Sequence, residues 1–459
     1  MKHTRGILSA AAAAIALICF STAQSGAQTQ RPNIVIIVAD DMGYGDIGPY
    51  GSKDIPTPNL DALARDGVRF TDAYVSGPYC SPTRAGLLTG KYPQRFGHEY
   101  NILPNAVAAH SEAGLPLTET TMADRLKASG YSTALFGKWH LGSAARFHPM
   151  ERGFEEFFGF LDGAHSYMTP NVQERNPLFE GRKHVAEPAY LTDVLADRAV
   201  EYINRKRTQP YFLYLAFNAV HTPMEATDKY LKRFAHIKDE PRRTYAAMLS
   251  AMDDGIGKTL AALDDNTLVI FFSDNGGPTF AGGTNGSSNA PLKGSKRTTW
   301  EGGVRVPMII KWKSHLAAGT TYTQPVIQLD LLPTALSAAG IRFDTKQFDG
   351  VNLLPFLGDK RSNRPHDILY WRTGGMMAIR KGDWKLLRNT ESAFTEAPIV
   401  LTDLSVLELY NLKTDISEIK NLASTNAKKV KELAADWTQW ANTLAKPAWS
   451  PRTLPASGQ

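Results

Sequence analysis

Four runs of consecutive apolar residues, rich in β-branched and aromatic side chains, stand out along the chain. Continuous rather than alternating hydrophobicity is typical of strands that are covered on both faces, as in a parallel sheet. The runs are Asn33 to Ala39, Tyr131 to Phe136, Tyr211 to Phe217 and Thr267 to Phe272. They predict the central strands of one sheet.

Segments of helical periodicity lie between these runs. In two of them apolar residues recur on one face: Leu191, Val194, Leu195 and Ile203, then Met248, Leu249, Met252, Ile256 and Leu260. Strands that alternate with helices predict an α/β fold, with one large, mostly parallel sheet sandwiched by helices. In such sheets ligands bind beyond the carboxyl ends of the strands.

The pattern changes after about Gly350. Residues Met377 to Leu387 predict a hairpin that turns at Lys381-Gly382-Asp383, and Leu407 to Tyr410 predicts a further strand. A helix is predicted from about Ala427 to Leu444. Together these elements predict a smaller C-terminal antiparallel sheet with a helix packed on it.

The length of 459 residues exceeds the roughly 250–300 at which a single core stops growing. We therefore expect a large N-terminal domain over residues 31–355 and a C-terminal α+β subdomain over residues 356–459. The Gly/Ser/Asn-rich stretch Gly282 to Asn289 is predicted to be a mobile loop. Lys and Arg total 51 against 45 Asp and Glu, and this near balance does not indicate a nucleic-acid partner.

The first residues have the pattern of a secretory signal peptide. Lys2 and Arg5 precede an apolar stretch from about Ile7 to Phe20, and the small residues at positions 25–27 suit cleavage. The stretch is shorter than the roughly 18–20 residues that span a bilayer. We expect residues 1–27 to be removed and the protein to be exported, periplasmic or secreted, with no membrane anchor.

Polar and charged side chains follow each of the four central strands. They are Asp40 and Asp41, Lys138 and His140, His221, and Asp274 and Asn275. Because the carboxyl ends of parallel strands meet at one edge, we expect these side chains to converge on one site. Each acidic pair alone is an ordinary turn or cap. Two such pairs at one edge supply the oxygen ligands that suit a hard cation such as Ca²⁺ or Mg²⁺ and argue against zinc.

Cys80 is the one thiol expected in the mature chain, since Cys19 lies in the leader, and it can therefore form no internal disulfide. It opens the run Cys80 to Gly90, between a Gly-Pro turn and a helix start where Pro82 suits an early helical position. A lone thiol is ordinarily a small buried hydrophobe. This position favours a reactive group instead.

The spacing Cys-x-Pro-x-Arg, followed by Leu-x-Thr-Gly, resembles the activation motif of the formylglycine-dependent type I sulfatases. The segment Gly137 to Gly142 adds to the resemblance, which extends from Asn33 into the C-terminal subdomain. It implies an alkaline phosphatase-like fold, sulfuric ester hydrolysis, and a maturation enzyme that oxidises Cys80 to formylglycine. In that family one hydroxyl of the hydrated formylglycine attacks sulfur, and the other expels sulfate and restores the aldehyde.

The resemblance also implies a role for each residue at the strand ends. Ca²⁺, or Mg²⁺, would be bound by Asp40, Asp41, Asp274, Asn275 and the modified Cys80. The catalytic residues would be Cys80, Arg84, Lys138, His140, His221 and Lys296.

Among these, Arg84 would stabilise the hydrated formylglycine, and Lys138 would bind formylglycine and sulfate oxygens. His140 would be the base that drives sulfate release. His221 and Lys296 would contact the leaving-group oxygen and help to protonate it. Nearby Lys293 is a rival for the role of Lys296, which the following Thr-Thr-Trp-Glu-Gly-Gly block favours.

His98 and His165 follow family-like segments and could bind sugar hydroxyls, although structural roles fit them equally well. The leading hypothesis is a sulfatase that acts on a sulfated carbohydrate, by analogy with exported relatives. Two alternatives stay open. One is a phosphonate monoester or phosphodiester hydrolase of the same superfamily. The other is a glycan-binding pseudosulfatase in which Cys80 is never converted.

Overall fold

The computed structural model describes residues 30–103, 112–168, 176–186, 189–280, 284–358, 363–389 and 403–449, with the single residues 399 and 401. The predicted signal peptide and Cys19 lie outside the described residues. The described residues from Arg31 onward form one compact unit, and the boundary expected near residue 355 stays a prediction. No helix of the described segments is long and apolar enough to cross a membrane.

Sixteen strands occur in the described residues. They are β1 (Asn33–Ala39), β2 (Val68–Phe70), β3 (Ala73–Tyr74), β4 (Ser132–Lys138), β5 (Glu156–Phe160), β6 (Leu178–Glu180), β7 (Lys183–Val185), β8 (Tyr211–Ala216), β9 (Thr267–Ser273), β10 (Met308–Lys311), β11 (Thr320–Tyr322), β12 (Val326–Ile327), β13 (Ile368–Thr373), β14 (Met376–Lys381), β15 (Trp384–Arg388) and β16 (Glu408–Asn411).

Ten α-helices accompany them in the same part of the chain. They are α1 (Pro58–Arg65), α2 (Cys80–Thr89), α3 (Met122–Ala128), α4 (Leu191–Asn204), α5 (Asp228–Leu231), α6 (Glu240–Ala261), α7 (Glu301–Val304), α8 (Leu331–Ala338), α9 (Leu354–Leu357) and α10 (Ala427–Ala441).

The large sheet has ten strands in the order β11-β2-β10-β9-β1-β8-β4-β5-β6-β7. The four predicted strands are β9, β1, β8 and β4, which lie side by side and pair in parallel. Antiparallel pairs occur towards both edges, at β10 and at β6. The predicted fold class, a mixed and mostly parallel sheet with helices on both faces, is confirmed.

Strand β1 shows why these segments are apolar at every position. Ile34, Ile36 and Val38 pack into one hydrophobic core, whereas Val35 and Ile37 pack into the core on the opposite face. All five side chains are fully buried. Burial of each contributes about 1.5–3 kcal/mol relative to exposure, so neither face tolerates a polar residue until the strand ends.

The C-terminal segment forms a separate antiparallel sheet in the order β13-β14-β15-β16. Lys381 pairs with Trp384 across the predicted hairpin, and Gly382 supplies the positive φ of 60° that the two-residue turn requires. Helix α10 packs on this sheet, where Trp437 Nε1 donates to the carbonyl of Trp371 at 3.0 Å. The small sheet with its helix is thus confirmed, although the helix ends at Ala441.

The stretch predicted to be a mobile loop is packed over residues 284–289, whereas residues 281–283 lie outside the described chain. Asn285 and Asn289 are buried. Asn285 Nδ2 donates to the carbonyl of Val220 at 3.0 Å, and Asn289 Nδ2 donates to that of Gly277 at 2.8 Å. Residues 284–289 form neither helix nor strand, as predicted for a loop, and their polar side chains also satisfy buried backbone groups, while the mobility of the loop stays a prediction.

Candidate active site

The four central strand ends meet at one edge of the sheet. The backbone N–H of Asp274, after β9, donates to Ala39 O at 3.0 Å, and that of Asp40, after β1, donates to Ala219 O at 2.9 Å. These bonds join the segments that follow β9, β1 and β8, with Ala219 three residues past the end of β8. They fix the residues after each strand relative to one another, as predicted.

Cys80 lies at the first position of α2 and is fully buried. Its sulfur is 3.3 Å from Oδ1 of Asp40, 3.9 Å from Oδ1 of Asp41 and 3.4 Å from Nζ of Lys296. Burial, together with the neighbouring carboxylates of Asp274 and Asp40, raises the pKa of the Cys80 thiol well above its ordinary value. The side chain is therefore held as a neutral thiol, unlike that of a nucleophilic cysteine.

Two lysines face the carboxylates that follow β1. Lys138 Nζ donates to Asp40 Oδ2 at 2.5 Å, and Lys296 Nζ lies 2.6 and 2.8 Å from the two oxygens of Asp41. Burial alone would raise the pKa of Asp41, but the charge of Lys296 lowers it well below its ordinary range. Asp41 is thus held ionised.

Arg84 and Asp274 form a second buried pair beside these lysines. Nε and Nη2 of Arg84 donate to Oδ2 of Asp274 at 3.0 and 2.8 Å, and Nη1 donates to the carbonyl of Lys138 at 2.9 Å. Burial and the nearby Asp40 raise the pKa of Asp274 to about 6, against the charge of Arg84. In this structure Arg84 orders the strand ends, and its predicted role toward formylglycine stays a prediction.

The residues present could hold a metal ion. Potential ligand atoms of Asp40, Asp41, Cys80 and His221 all lie within 4.8 Å of one another. Asn275 Nδ2 donates to Asp41 Oδ1 at 2.6 Å, which leaves its Oδ1 buried without a partner among the described residues. A buried carbonyl oxygen without a donor is costly unless a ligand such as a cation satisfies it.

The predicted ligand set and this cluster overlap without being identical. Asp40, Asp41 and Cys80 belong to both, and the structure adds His221. Asp274 accepts from Arg84 and, at 3.2 Å, from the backbone of Asp41. Which of these residues bind the metal stays a prediction.

His140 has one nitrogen bound and one free. Its Nε2 lies 2.9 Å from the carbonyl of Ile102, while its Nδ1 is buried without a partner in the described segments. Burial and the charge of Lys138 lower the pKa of His140 well below its ordinary value. The neutral ring therefore has Nδ1 as a proton acceptor, and the role of His140 as the base stays a prediction.

Gly163 packs against His140 and was not singled out from the sequence. A Cβ at this position would lie 2.8 Å from Cε1 and Nε2 of the His140 ring. Any larger residue would therefore displace the imidazole. Of the segment Asp162-Gly163-Ala164-His165, only His165 was a candidate from the sequence.

His221 lies at the rim of the cluster, with a side chain that is 17% exposed. Its Nδ1 lies 2.6 Å from the carbonyl of Thr222, and its Nε2 is 3.6 Å from Oδ2 of Asp41. Burial outweighs the attraction of Asp41 and lowers the pKa of His221 to about 3. The ring thus turns Nε2 towards the site.

The two uncertain histidines differ in their surroundings. His98 is fully buried, with Nε2 2.5 Å from Ser81 Oγ and its ring 4.6 Å from that of Trp449. His165 packs on Phe160 at 5.2 Å, and its Nδ1 lies 2.7 Å from a backbone carbonyl. The structure favours a packing role for His98 over sugar binding.

The rival lysine is engaged elsewhere. Lys293 Nζ lies 4.5 Å from the ring centroid of Trp300 and within hydrogen-bond distance of Tyr410 and of the Glu418 carbonyl, at 3.3 and 3.2 Å. It contacts the C-terminal sheet. Lys296 is the lysine of this loop that reaches Cys80.

A buried ionic cluster surrounds Glu301, the first residue of α7, which follows Lys296 in the chain. It was not predicted from the sequence. Lys385 Nζ lies 2.7 Å from Glu301 Oε1 and 3.0 Å from Glu418 Oε1. Arg305 and Tyr74 donate to the other oxygen of Glu301 at 3.1 and 2.6 Å. Lys385 on β15 of the C-terminal sheet and Tyr74 on β3, which pairs with β12 in a small two-stranded sheet, thus anchor α7.

Comparison with known proteins settles the family. A sequence model described as Sulfatase matches residues 32–341, and a second, N-sulphoglucosamine sulphohydrolase, C-terminal, matches residues 294–445. The chain belongs to the sulfatase family. The resemblance to the type I sulfatases and the assignment as a sulfuric ester hydrolase are both confirmed.

Individual sulfatases resemble the chain over most of its length. It is 36% identical over 381 residues to the N-acetylgalactosamine-6-sulfatase of Rattus norvegicus, covering 78% of this chain and 71% of the relative. Among solved structures, the crystal structure of Ps i-CgsB is 38% identical, with a TM-score of 0.82, and the match covers 92% of this chain and 95% of that one. A complex of Ps i-CgsB with k-i-k-neocarrahexaose is 37% identical over the same shares, also with a TM-score of 0.82.

Proposed function

We propose that this sulfatase is exported and removes sulfate from a sulfated carbohydrate. Its nucleophile would be a formylglycine made from Cys80. It would also use a divalent cation, for which Ca²⁺ is the first candidate and Mg²⁺ the second. One observation carries the proposal. The sulfur of Cys80 lies 3.3–3.9 Å from Asp40, Asp41 and Lys296. Burial keeps this thiol neutral, and it lies beside two carboxylates that could bind a metal and beside the ammonium group of Lys296. Such a thiol is suited to be the precursor of the nucleophile.

The charges of the site fit displacement at a sulfate ester. The sulfate oxygens are negative and repel an incoming nucleophile, so fixed cations must surround them. Lys138 and Lys296 supply two ammonium groups within a buried site, where the lower effective dielectric constant strengthens their attraction. A cation held by Asp40, Asp41 and Asn275 would add positive charge, and formylglycine would supply the attacking hydroxyl.

The histidines of the site can handle the protons. His140 has an acceptor nitrogen, Nδ1, that no described residue occupies, which suits a base. His221 lies at the partly exposed rim of the site. Together with Lys296 it would contact the oxygen that bridges the sulfur and the sugar, and would help to protonate the leaving group. The assignment of each group to a step is part of the proposal.

The substrate class rests on the relatives. N-acetylgalactosamine-6-sulfatase is named for a sulfated sugar, and Ps i-CgsB forms a complex with neocarrahexaose. Both names support a sulfated carbohydrate as the substrate of this chain. The proposal also requires a formylglycine-generating maturation enzyme as a partner.

Mass spectrometry of the protein from its native host tests the conversion of Cys80. Trypsin releases Phe70 to Arg84 as one peptide. Formylglycine lowers the mass of this peptide by H₂S and raises it by O, and the aldehyde reacts with hydrazides. A peptide that carries only the thiol, in a protein that releases no sulfate, contradicts the proposal and favours a glycan-binding pseudosulfatase.

Turnover of three aryl esters tests the reaction. We expect an aryl sulfate to be hydrolysed in preference to an aryl phosphodiester or phosphonate, and the Cys80→Ala variant to be inactive. Preference for phosphorus would instead identify a phosphonate monoester or phosphodiester hydrolase. A panel of sulfated mono- and oligosaccharides, followed by sulfate release, then identifies the sugar.

Fractionation of the native host tests export. We expect the protein in the periplasm or the medium, with an N-terminus after residue 27. An intact N-terminus on protein in the cytoplasm would contradict this part of the proposal without affecting the reaction.

A further inference from the structure

Arg297 lies next to Lys296 and is attached to the turn that presents Cys80. Its backbone N–H donates to the carbonyl of Pro78 at 3.0 Å, while the N–H of Lys296 donates to Gly277 O at 3.2 Å. Lys296 turns inward to Asp41, whereas Arg297 is exposed. Of these two consecutive cations, Lys296 is buried in the site, and Arg297 is exposed to solvent on a backbone that is hydrogen-bonded two residues before Cys80.

The backbone at Arg297 is in the left-handed region, with φ at 74°. This conformation costs a residue with a Cβ about 1 kcal/mol or more relative to glycine. The same loop has glycine at its other left-handed position, Gly294, with φ at 86°. A long charged side chain at position 297 thus occupies a place where glycine would be the less strained residue.

The guanidinium of Arg297 has no ion pair or hydrogen bond with the residues that the structure describes. It stacks over Phe280, 4.7 Å from the ring centroid. Arg84, Lys138 and Lys296, in contrast, each face a carboxylate. Stacking orients the planar group while leaving its N–H edge open, which is the geometry that binds sulfate or carboxylate with two hydrogen bonds.

We propose that Arg297 binds a second anionic group of the substrate, beside the sulfate that is cleaved. The inference rests on the proposed function and narrows its substrate class. The preferred carbohydrate carries at least two negative groups, the second being a sulfate ester or a uronic acid carboxylate. Arg297 is then a specificity residue, since it touches a part of the substrate that does not react.

Two variants at position 297 separate charge from loop geometry. Arg297→Gly removes the guanidinium and suits the positive φ, and Arg297→Lys keeps a cation. Arg342→Ala is the control for a lost surface charge, because Arg342 is also exposed and lines a separate surface cavity with Phe343 and Phe348.

Steady-state kinetics should use an aryl sulfate, a monosulfated sugar, its disulfated analogue, and a monosulfated disaccharide with a uronic acid. For Arg297→Gly we expect KM to rise about tenfold on either the disulfated or the uronate substrate. This is the effect of losing one exposed charge-assisted hydrogen bond. Which of these two responds identifies the second anion. KM on the other substrates and kcat on all should change less than about twofold, with Arg297→Lys intermediate and Arg342→Ala unchanged.

An equal loss on all four substrates would overturn the inference in favour of loop positioning, and no change on either dianionic substrate would overturn it outright. Calorimetry on the inactive Cys80→Ala variant covers the case without turnover. There the disulfated sugar and the uronate disaccharide are titrated with and without Arg297→Gly. About tenfold weaker binding of one of them supports the role of Arg297 even if the proposed reaction fails, whereas equal binding of both contradicts it.

Discussion

The ammonium nitrogen of Lys296 lies 3.4 Å from the sulfur of Cys80, although 216 positions separate the two residues in the chain. The same ammonium contacts both oxygens of Asp41. If Cys80 is the precursor of the nucleophile, as proposed, a cation this close to it is placed to stabilise charge that develops on the substrate.

Lys296→Ala should therefore lower kcat/KM for an aryl sulfate by about 10²–10³, the range found when one such charge-stabilising contact is removed. Lys293→Ala is the matched control, since this lysine contacts Trp300 and the C-terminal sheet. It should keep activity within about threefold and lose only stability. The reverse ranking of the two variants would show that the wrong lysine has been assigned.

Calcium should stabilise the folded protein through the ligands at the strand ends. A ligand that binds only the folded state adds about 2.7 kcal/mol at 100 times its Kd, so Tm should rise with CaCl₂ and fall with EDTA. Asn275→Leu removes the unpartnered Oδ1. The variant should therefore need at least about tenfold more Ca²⁺ for the same rise in Tm. Scanning calorimetry with Ca²⁺ and with Mg²⁺ measures this, and a wild-type Tm that neither ion alters would contradict the metal site.

His98 should matter for stability rather than for substrate affinity. His98→Ala removes the contact with Ser81 and the packing against Trp449, which should cost about 1–3 kcal/mol. KM for a sulfated sugar should change less than about twofold. His221→Ala serves as the contrast, with lower kcat and little loss of Tm. Urea unfolding and kinetics on the same preparations decide, and a raised KM with unchanged stability would restore His98 as a sugar ligand.

The buried cluster behind α7 should make stability depend on pH in two opposite ways. Burial and the charge of Glu301 raise the pKa of Glu418 above its ordinary 4.5, against the pull of Lys385. Above pH 4.5 the unfolded state releases this proton while the folded state keeps it. Wild-type stability therefore loses the contribution of Glu418 as pH rises. Glu418→Gln removes that loss. The free energy of unfolding of the variant, relative to that of the wild type, should therefore increase from pH 5 to pH 8.

Glu301→Gln should show the opposite trend. Although burial opposes ionisation, Lys385 and Arg305 lower the pKa of Glu301 below its ordinary value. Its contribution is present above pH 4.5 and is lost as pH falls, so the variant should be most destabilised at pH 8 and less so near pH 4. Denaturant unfolding across this range measures both differences. Parallel pH profiles for the two variants would contradict the assigned charges.

The apolar pattern predicted the centre of the sheet well because burial on both faces leaves no polar position until the strand ends. The limits of β1 were those of the apolar run. Strand β4 was predicted to end at Phe136 but continues through Lys138, because Gly137 and Lys138 pair with β5. A charged residue inside a strand carries no local signal when its charge is satisfied by a distant carboxylate.

The chemistry of the site was predictable where it follows a strand or lies within a motif. The partners within the site were not. That Arg84 faces Asp274, that Gly163 must leave room for His140, and that Asn285 holds the backbone near Val220 all depend on contacts between distant segments. Composition around Asn285 indicated a loop, and only the fold shows that the side chain is buried.

The order in which the chain is synthesised sets the earliest time at which Cys80 can be enclosed. Lys296 completes the surroundings of the sulfur and is made 216 residues later, and the cluster that anchors its loop needs Lys385 and Glu418. At about 5–20 residues per second, the interval from Cys80 to Lys296 is about 11–43 s. During that time the thiol cannot be sealed by its final neighbours. An enzyme that modifies Cys80 during synthesis therefore has at least this interval of tens of seconds, and a permuted chain in which Lys296 precedes Cys80 would remove it.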